Sequence, residues 1–93
     1  MLGAMDPAEV TPEDVAIVKG VANQINCNCC NEIACGNFTV DKLWNQIVAG
    51  TMKWYHLTCC NSKYSVCVFV PLNGAPEVKI TEEGHTPARN PNS

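Results

Sequence analysis

One amphipathic helix is predicted near the start of the chain. Thr11 is a suitable N-cap, Pro12 suits the first helical position, and the acidic pair that follows favours the positive end of the helix dipole. Apolar residues then recur at helical spacing and form one stripe: Val15, Val18, Ala22 and Ile25. We therefore expect a helix from Thr11 to about Asn26, preceded by a flexible arm at residues 1–10.

The rest of the chain shows apolar and polar residues in alternation, which indicates β-strands. The segments with this pattern are residues 38–48, 53–59, 64–70 and 78–80. The alternation slips between Val40 and Leu43, where we expect a bulge. Turns are predicted at residues 60–63 and 71–74, and the tail at residues 84–93 should be frayed. The pattern predicts an α+β fold, with a single helix packed across a twisted antiparallel sheet of four to five strands.

The composition indicates one small domain without an obvious charged binding surface. The 93 residues suffice for a single domain at residues 1–93, and 46% of them are hydrophobic. The net charge is −3 and the six basic residues are scattered, which argues against nucleic acid or a membrane as a partner. The longest apolar run, residues 66–70, is too short to span a membrane, and no signal peptide is visible. We expect a cytoplasmic protein, or a secreted one whose signal peptide was removed.

An apolar segment lies where two of the predicted strands turn back on each other. The segment Gln46-Ile47-Val48-Ala49-Gly50 is mostly apolar, whereas a hairpin turn normally faces water and is polar. An exposed apolar turn usually exists to be covered by a partner. Leu72 and Asn73 lie in a later turn. Because alternate turns of an antiparallel meander share one end of the sheet, we expect the two turns to lie at the same end.

These segments resemble the motifs of a known inhibitor family. The pattern Gln-x-Val-x-Gly at residues 46–50 is similar to the signature of the cystatins, which inhibit papain-like cysteine proteases, and the chain most closely resembles their type 1 branch, the stefins. Met1-Leu2-Gly3 resembles the glycine-containing start of a stefin, and Trp54-Tyr55 is also stefin-like. Residues 68–73 resemble the motif of the second stefin hairpin. The resemblance extends from Met1 to about residue 80.

The resemblance implies a cystatin-like fold and a reversible, non-covalent protease inhibitor rather than an enzyme. In this family, an N-terminal arm and two hairpin loops fill the active-site cleft of the protease. Carried over to this chain, the protease-binding residues are Gly3, Gln46, Ile47, Val48, Ala49, Gly50, Leu72 and Asn73. Asn73 stands where stefins usually have proline. The expected partners are cathepsin-type proteases, no cofactor is expected, and the expected monomer can form a domain-swapped dimer by opening the first hairpin.

The seven cysteines exceed what the resemblance explains. Cys27 and Cys30 have metal-ligand spacing, and His56 and Cys59 would complete a four-ligand zinc site. Free thiols are the commonest outcome in a reducing cytosol, and disulfides are expected in a secreted domain. All three states of the cysteines stay open at this stage. The alternative function is a cystatin-shaped metal-binding or redox module that inhibits no protease, with those four residues as its site.

Overall fold

The computed structural model describes residues 4–87, which form one antiparallel sheet with helical segments packed on one face. The helical segments are α1 at Pro12–Gly20, a 3-10 turn at Ala22–Gln24 and α2 at Cys30–Ala34. The strands are β1 at Met5–Ala8, β2 at Thr39–Val48, β3 at Gly50–Cys59, β4 at Ser62–Val70 and β5 at Glu77–Glu83. The predicted α+β fold is confirmed. Within the described residues, none of the helices has the length and hydropathy needed to cross a membrane.

The strands pair with their neighbours in the order β1-β2-β3-β4-β5, and every pair is antiparallel. β1 corrects the expectation of a flexible arm, because Met5–Ala8 pairs with β2 from Met5 opposite Gln46 to Ala8 opposite Leu43. Pro7 is tolerated there because β1 is an edge strand, where one side of the backbone needs no ladder hydrogen bond. The first strand thus enters the sheet beside the end of β2.

Helix α1 begins where the sequence predicts but ends earlier. Thr11 is the N-cap, and its backbone N–H and its Oγ1 each donate to the Asp14 carboxylate at 3.0 Å. The predicted end near Asn26 is wrong, because the α-helix stops at Gly20, a poor helix former, and a 3-10 turn follows. Val15 belongs to the predicted apolar stripe, yet it is 36% exposed.

The core lies between the sheet and the helical segments. Its buried residues include Val18, Val21, Ala22, Ile25 and Ile33 from the helical side and Leu43, Tyr55, Leu57, Val66 and Val68 from the sheet. The sequence pattern does not indicate helix α2, because a five-residue helix buries too few side chains to produce a periodic pattern. The expected bulge in β2 is confirmed as a register shift between Val40 and Lys42.

The opposite face of the sheet, here called the outer face, is crossed by residues 84–87. The Ser65 hydroxyl donates to the Gly84 carbonyl at 2.9 Å, and the Thr86 N–H donates to Ser65 Oγ at 2.9 Å. The ring of His85 stacks on His56 with centroids 4.6 Å apart. The expectation of a frayed tail from Gly84 is therefore wrong as far as residue 87. Residues 84–87 show no alternation of apolar and polar residues, because polar contacts hold them on the sheet and they do not pair as a strand.

Candidate functional site

The turn between β2 and β3, here called the first tip (residues 46–50), presents apolar side chains to solvent. β2 ends at Val48 and β3 begins at Gly50, so Ala49 alone separates the two strands. Ile47 is 64% exposed, Ala49 is exposed and Val48 is half-buried. The first tip is thus a tight, ordered hairpin end whose apolar surface is not used by the core.

Gly50 is the point at which the first tip contacts the next hairpin. Its φ is +120°, a conformation that residues with a side chain rarely adopt. A β-carbon there would lie 2.6 Å from the Val70 carbonyl oxygen and 3.0 Å from the Pro71 Cα. Both atoms belong to the backbone at the end of β4, so the close approach of the two hairpins requires glycine at this position.

The loop that follows β4, here called the second tip (residues 71–74), lies at the same end of the sheet as the first. Thr51 is opposite Val70 in the register of β3 and β4. Leu72 is 81% exposed and Asn73 is exposed. The two turns therefore lie side by side, as the meander argument predicts. We call this end of the sheet the tip end.

The first tip is supported on both sides by neighbouring strands. Gln46 lies opposite Met5 of β1 and Met52 of β3, and its side chain is fully buried. Because β1 starts at Met5, the chain enters the sheet at the tip end. Gly3, the remaining predicted protease-binding residue, lies outside the described residues. The structure therefore brings together seven of the eight predicted residues and leaves the eighth undescribed.

No charged residue occurs in either tip. A partly buried ion pair lies next to the first tip. Lys53 Nζ is 2.9 Å from Asp14 Oδ1, and the Tyr55 hydroxyl donates to the same oxygen at 2.8 Å. Burial alone would raise the pKa of Asp14, but hydrogen bonds from Thr11, Lys53 and Tyr55 outweigh it and hold that pKa below its ordinary value. The pair ties the start of α1 to β3.

The four-ligand metal set predicted from spacing is not brought together. His56 lies on the outer face, where its Nε2 donates to the Thr86 carbonyl at 2.6 Å and its ring packs against Trp44 with centroids 4.7 Å apart. Cys59 faces the core on the other side of the same strand. Residues three apart in a strand point to opposite faces, so the His56-x-x-Cys59 spacing could not place both ligands on one metal.

A different group of thiols meets at the far end of the sheet, which carries the turn between β3 and β4. The Sγ atoms of Cys29, Cys59 and Cys60 all lie within 4.8 Å of one another. Cys27 Sγ is 3.4 Å from Cys29 Sγ. All seven cysteines are free thiols. The sequence carried a signal for this group in its Cys-x-Cys and Cys-Cys pairs, but the pairing of the two segments depends on the fold.

Comparisons with known proteins support the fold. Neither the scan against protein-family models nor the search of curated proteins found a match. Among solved structures, a secreted type 1 cystatin from Fasciola hepatica is similar, with a TM-score of 0.63 and 22% sequence identity. The match covers 88% of this chain and 96% of that one. The predicted resemblance is confirmed at the level of the fold: this chain folds as a type 1 cystatin does.

Proposed function

We propose that this protein is a reversible, non-covalent inhibitor of papain-like cysteine proteases of the cathepsin type, and not an enzyme. One observation carries the proposal: two apolar, uncharged tips lie side by side at one end of a sheet with the type 1 cystatin fold. The proposed protease-binding residues are Gly3, the first tip, Leu72 and Asn73. The similar structure is itself described as a type 1 cystatin.

The first tip is suited to fill a cleft because strand pairing up to Val48 and Gly50 forms it before binding. The exposed fractions of Ile47 and Leu72 are 64% and 81%. Burying these fractions against a protease contributes about 1–2 kcal/mol for each side chain. A preformed hairpin loses little conformational entropy on docking, so most of this energy appears as affinity. Together the two side chains lower the inhibition constant by roughly 30- to 1000-fold.

Occlusion, and not chemistry, is the proposed mode of action. Neither tip contains a serine, a cysteine or a charged side chain, so the tips offer no nucleophile, general acid or general base to the protease. The inhibitor then dissociates unchanged, and activity returns on dilution. Such a mode requires shape and apolar contact only.

The test is titration against papain and a cathepsin with paired variants. Ile47→Asp places a charge in the proposed contact at an exposed position, and Val48→Asp does so beside it. Each is expected to raise the inhibition constant by about 100-fold or more, because apolar burial is lost and a charge is desolvated. Val15→Asp is the control, since Val15 is an exposed valine on α1. Equal inhibition by all three folded variants would refute the proposal.

We further propose that the protein works in the cytoplasm. Free thiols at all seven cysteines support a reducing compartment, although the similar structure is described as secreted. A thiol count on protein isolated without reductant tests this assignment. Seven reactive thiols per unfolded chain are expected, and stable disulfides would contradict it.

A further inference from the structure

Four thiols converge at the far end of the sheet, away from the two tips. Two come from the segment between the 3-10 turn and α2, namely Cys27 and Cys29. The other two are Cys59, the last residue of β3, and Cys60, the first residue of the turn that follows. Cys29 and Cys59 are buried, Cys27 is half-buried and Cys60 is exposed. The group is therefore anchored in the core and open to solvent on one side.

Three of the four sulfur atoms lie as close together as the ligands of one metal ion, and the fourth, that of Cys27, contacts one of the three. Cys27 Sγ to Cys29 Sγ is 3.4 Å, and Cys59 Sγ to Cys60 Sγ is 3.7 Å. Cys29, Cys59 and Cys60 form a compact triple within 4.8 Å. In a zinc–thiolate tetrahedron with Zn–S of about 2.3 Å, neighbouring sulfurs are about 3.8 Å apart. A disulfide requires about 2.05 Å, so the thiols are not bonded to one another, and their spacing is compatible with a shared ion.

Cys60 adopts a backbone conformation that its residue type does not favour. Cys59 is opposite Ser62, and the two residues between them have positive φ, 52° at Cys60 and 63° at Asn61. Two-residue turns of this kind prefer asparagine or glycine at both positions. A cysteine held there carries a cost of order 1 kcal/mol, and its thiol is thereby brought beside Cys59 and Cys29. Backbone strain of this kind clusters at active sites and ligand clamps.

We propose that Cys27, Cys29, Cys59 and Cys60 bind one Zn²⁺ ion as a structural site. The compact triple supplies three ligands, and Cys27 supplies the fourth from the flanking segment. On binding, each thiol loses its proton to solvent and its sulfur lone pair is donated to the metal, so no oxidant or reductant takes part. The ion ties the segment before α2 to the β3–β4 hairpin. This site is independent of the proposed function, because it lies at the other end of the sheet.

The test uses the full chain, purified and kept with a non-chelating reductant, and loaded with Zn²⁺ or Co²⁺. We expect one Zn²⁺ per chain by native mass spectrometry. Co²⁺ should give sulfur-to-metal charge-transfer absorption and the visible bands of a tetrahedral site. Cys60→Ser should weaken zinc binding by roughly 100-fold or more, since one of four ligands is lost. Cys35→Ser, an exposed thiol at the end of α2, should leave it unchanged.

Circular dichroism establishes that each variant folds, and Cys27→Ser provides a second ligand variant at a half-buried position. Failure of the reduced wild-type chain to bind zinc would overturn the proposal, whether or not disulfides form in its oxidised form. Equal zinc affinity of the Cys60→Ser and Cys35→Ser variants would also overturn it. Inhibition of papain is measured on the same samples, and its presence or absence bears only on the tips.

Discussion

Replacing Gly50 by alanine tests whether the contact between the two tips holds the proposed protease-binding end together. The new β-carbon would lie 2.6 Å from the Val70 carbonyl oxygen and 3.0 Å from the Pro71 Cα. Both neighbours are backbone atoms, so no flexible side chain can move aside. The φ of +120° at Gly50 adds backbone strain. The loop between β2 and β3 must therefore shift away from the loop after β4.

The size of the effect follows from these two contributions. A residue with a side chain in this region of φ costs about 1–3 kcal/mol, and an overpacked contact costs about 1–3 kcal/mol more. We expect a loss of at least about 2 kcal/mol in the free energy of unfolding. For a domain of this size, that lowers Tm by roughly 10 °C. Inhibition should weaken as well, because the two tips no longer keep their relative position.

Gly20→Ala is a matched control that is expected to raise stability instead of lowering it. Gly20 is the last residue of α1, and a β-carbon there meets nothing within 4 Å. Alanine at such a position stabilises a helix by about 0.4–1 kcal/mol, largely by restricting the unfolded chain. Thermal unfolding by circular dichroism and papain inhibition are measured for both variants. The reasoning is refuted when the alanine at position 50 unfolds at or above the wild-type Tm.

Two further predictions concern the ion pair and the first hairpin. Asp14→Asn should lower stability at pH 7 by about 1–3 kcal/mol, since it removes the charge that pairs with the partly buried Lys53. Glu77→Gln in an exposed pair should have little effect. The contribution of Asp14 is complete above its ordinary pKa of 3.8 and is lost as the pH falls through the lowered folded-state pKa. The stabilities of the two proteins should therefore converge as the pH falls below that pKa, and a constant gap would contradict this. A domain-swapped dimer, formed by extending the chain through Ala49, should not inhibit papain because the first tip no longer exists. Light scattering and an inhibition assay on the same sample test this prediction, and an active dimer would contradict it.

The strands and tips could be read from the sequence because their signals are local. Alternation of apolar and polar residues located β2, β3 and β4, and its slip located the bulge after Val40. The apolar turn at Ile47 stood out because turns are normally polar. The shared end of the two turns followed from antiparallel order, which the pairing of Thr51 with Val70 confirms.

The remaining features depend on contacts that no local pattern records. β1 contains Pro7 and two exposed residues out of four, so it shows no alternation and forms only because β2 offers a free edge. Cys29 and Cys60 belong to segments that are far apart in the sequence, and only the fold brings their thiols together. Metal-ligand spacing in the sequence predicts His56 as a ligand instead. Spacing alone does not record which face of a strand a residue occupies.

The apolar character of the tips is not required by the fold itself. In an antiparallel meander the turn after β2 and the turn after β4 must share one end of the sheet, whatever residues they contain. Glycine at position 50 is demanded by the close backbone approach, but Ile47 and Leu72 remain 64% and 81% exposed. Polar residues there would leave the core intact and improve solubility. The fold permits polar residues at these two positions, yet the chain carries isoleucine and leucine there. We therefore propose that these two side chains contact the protease.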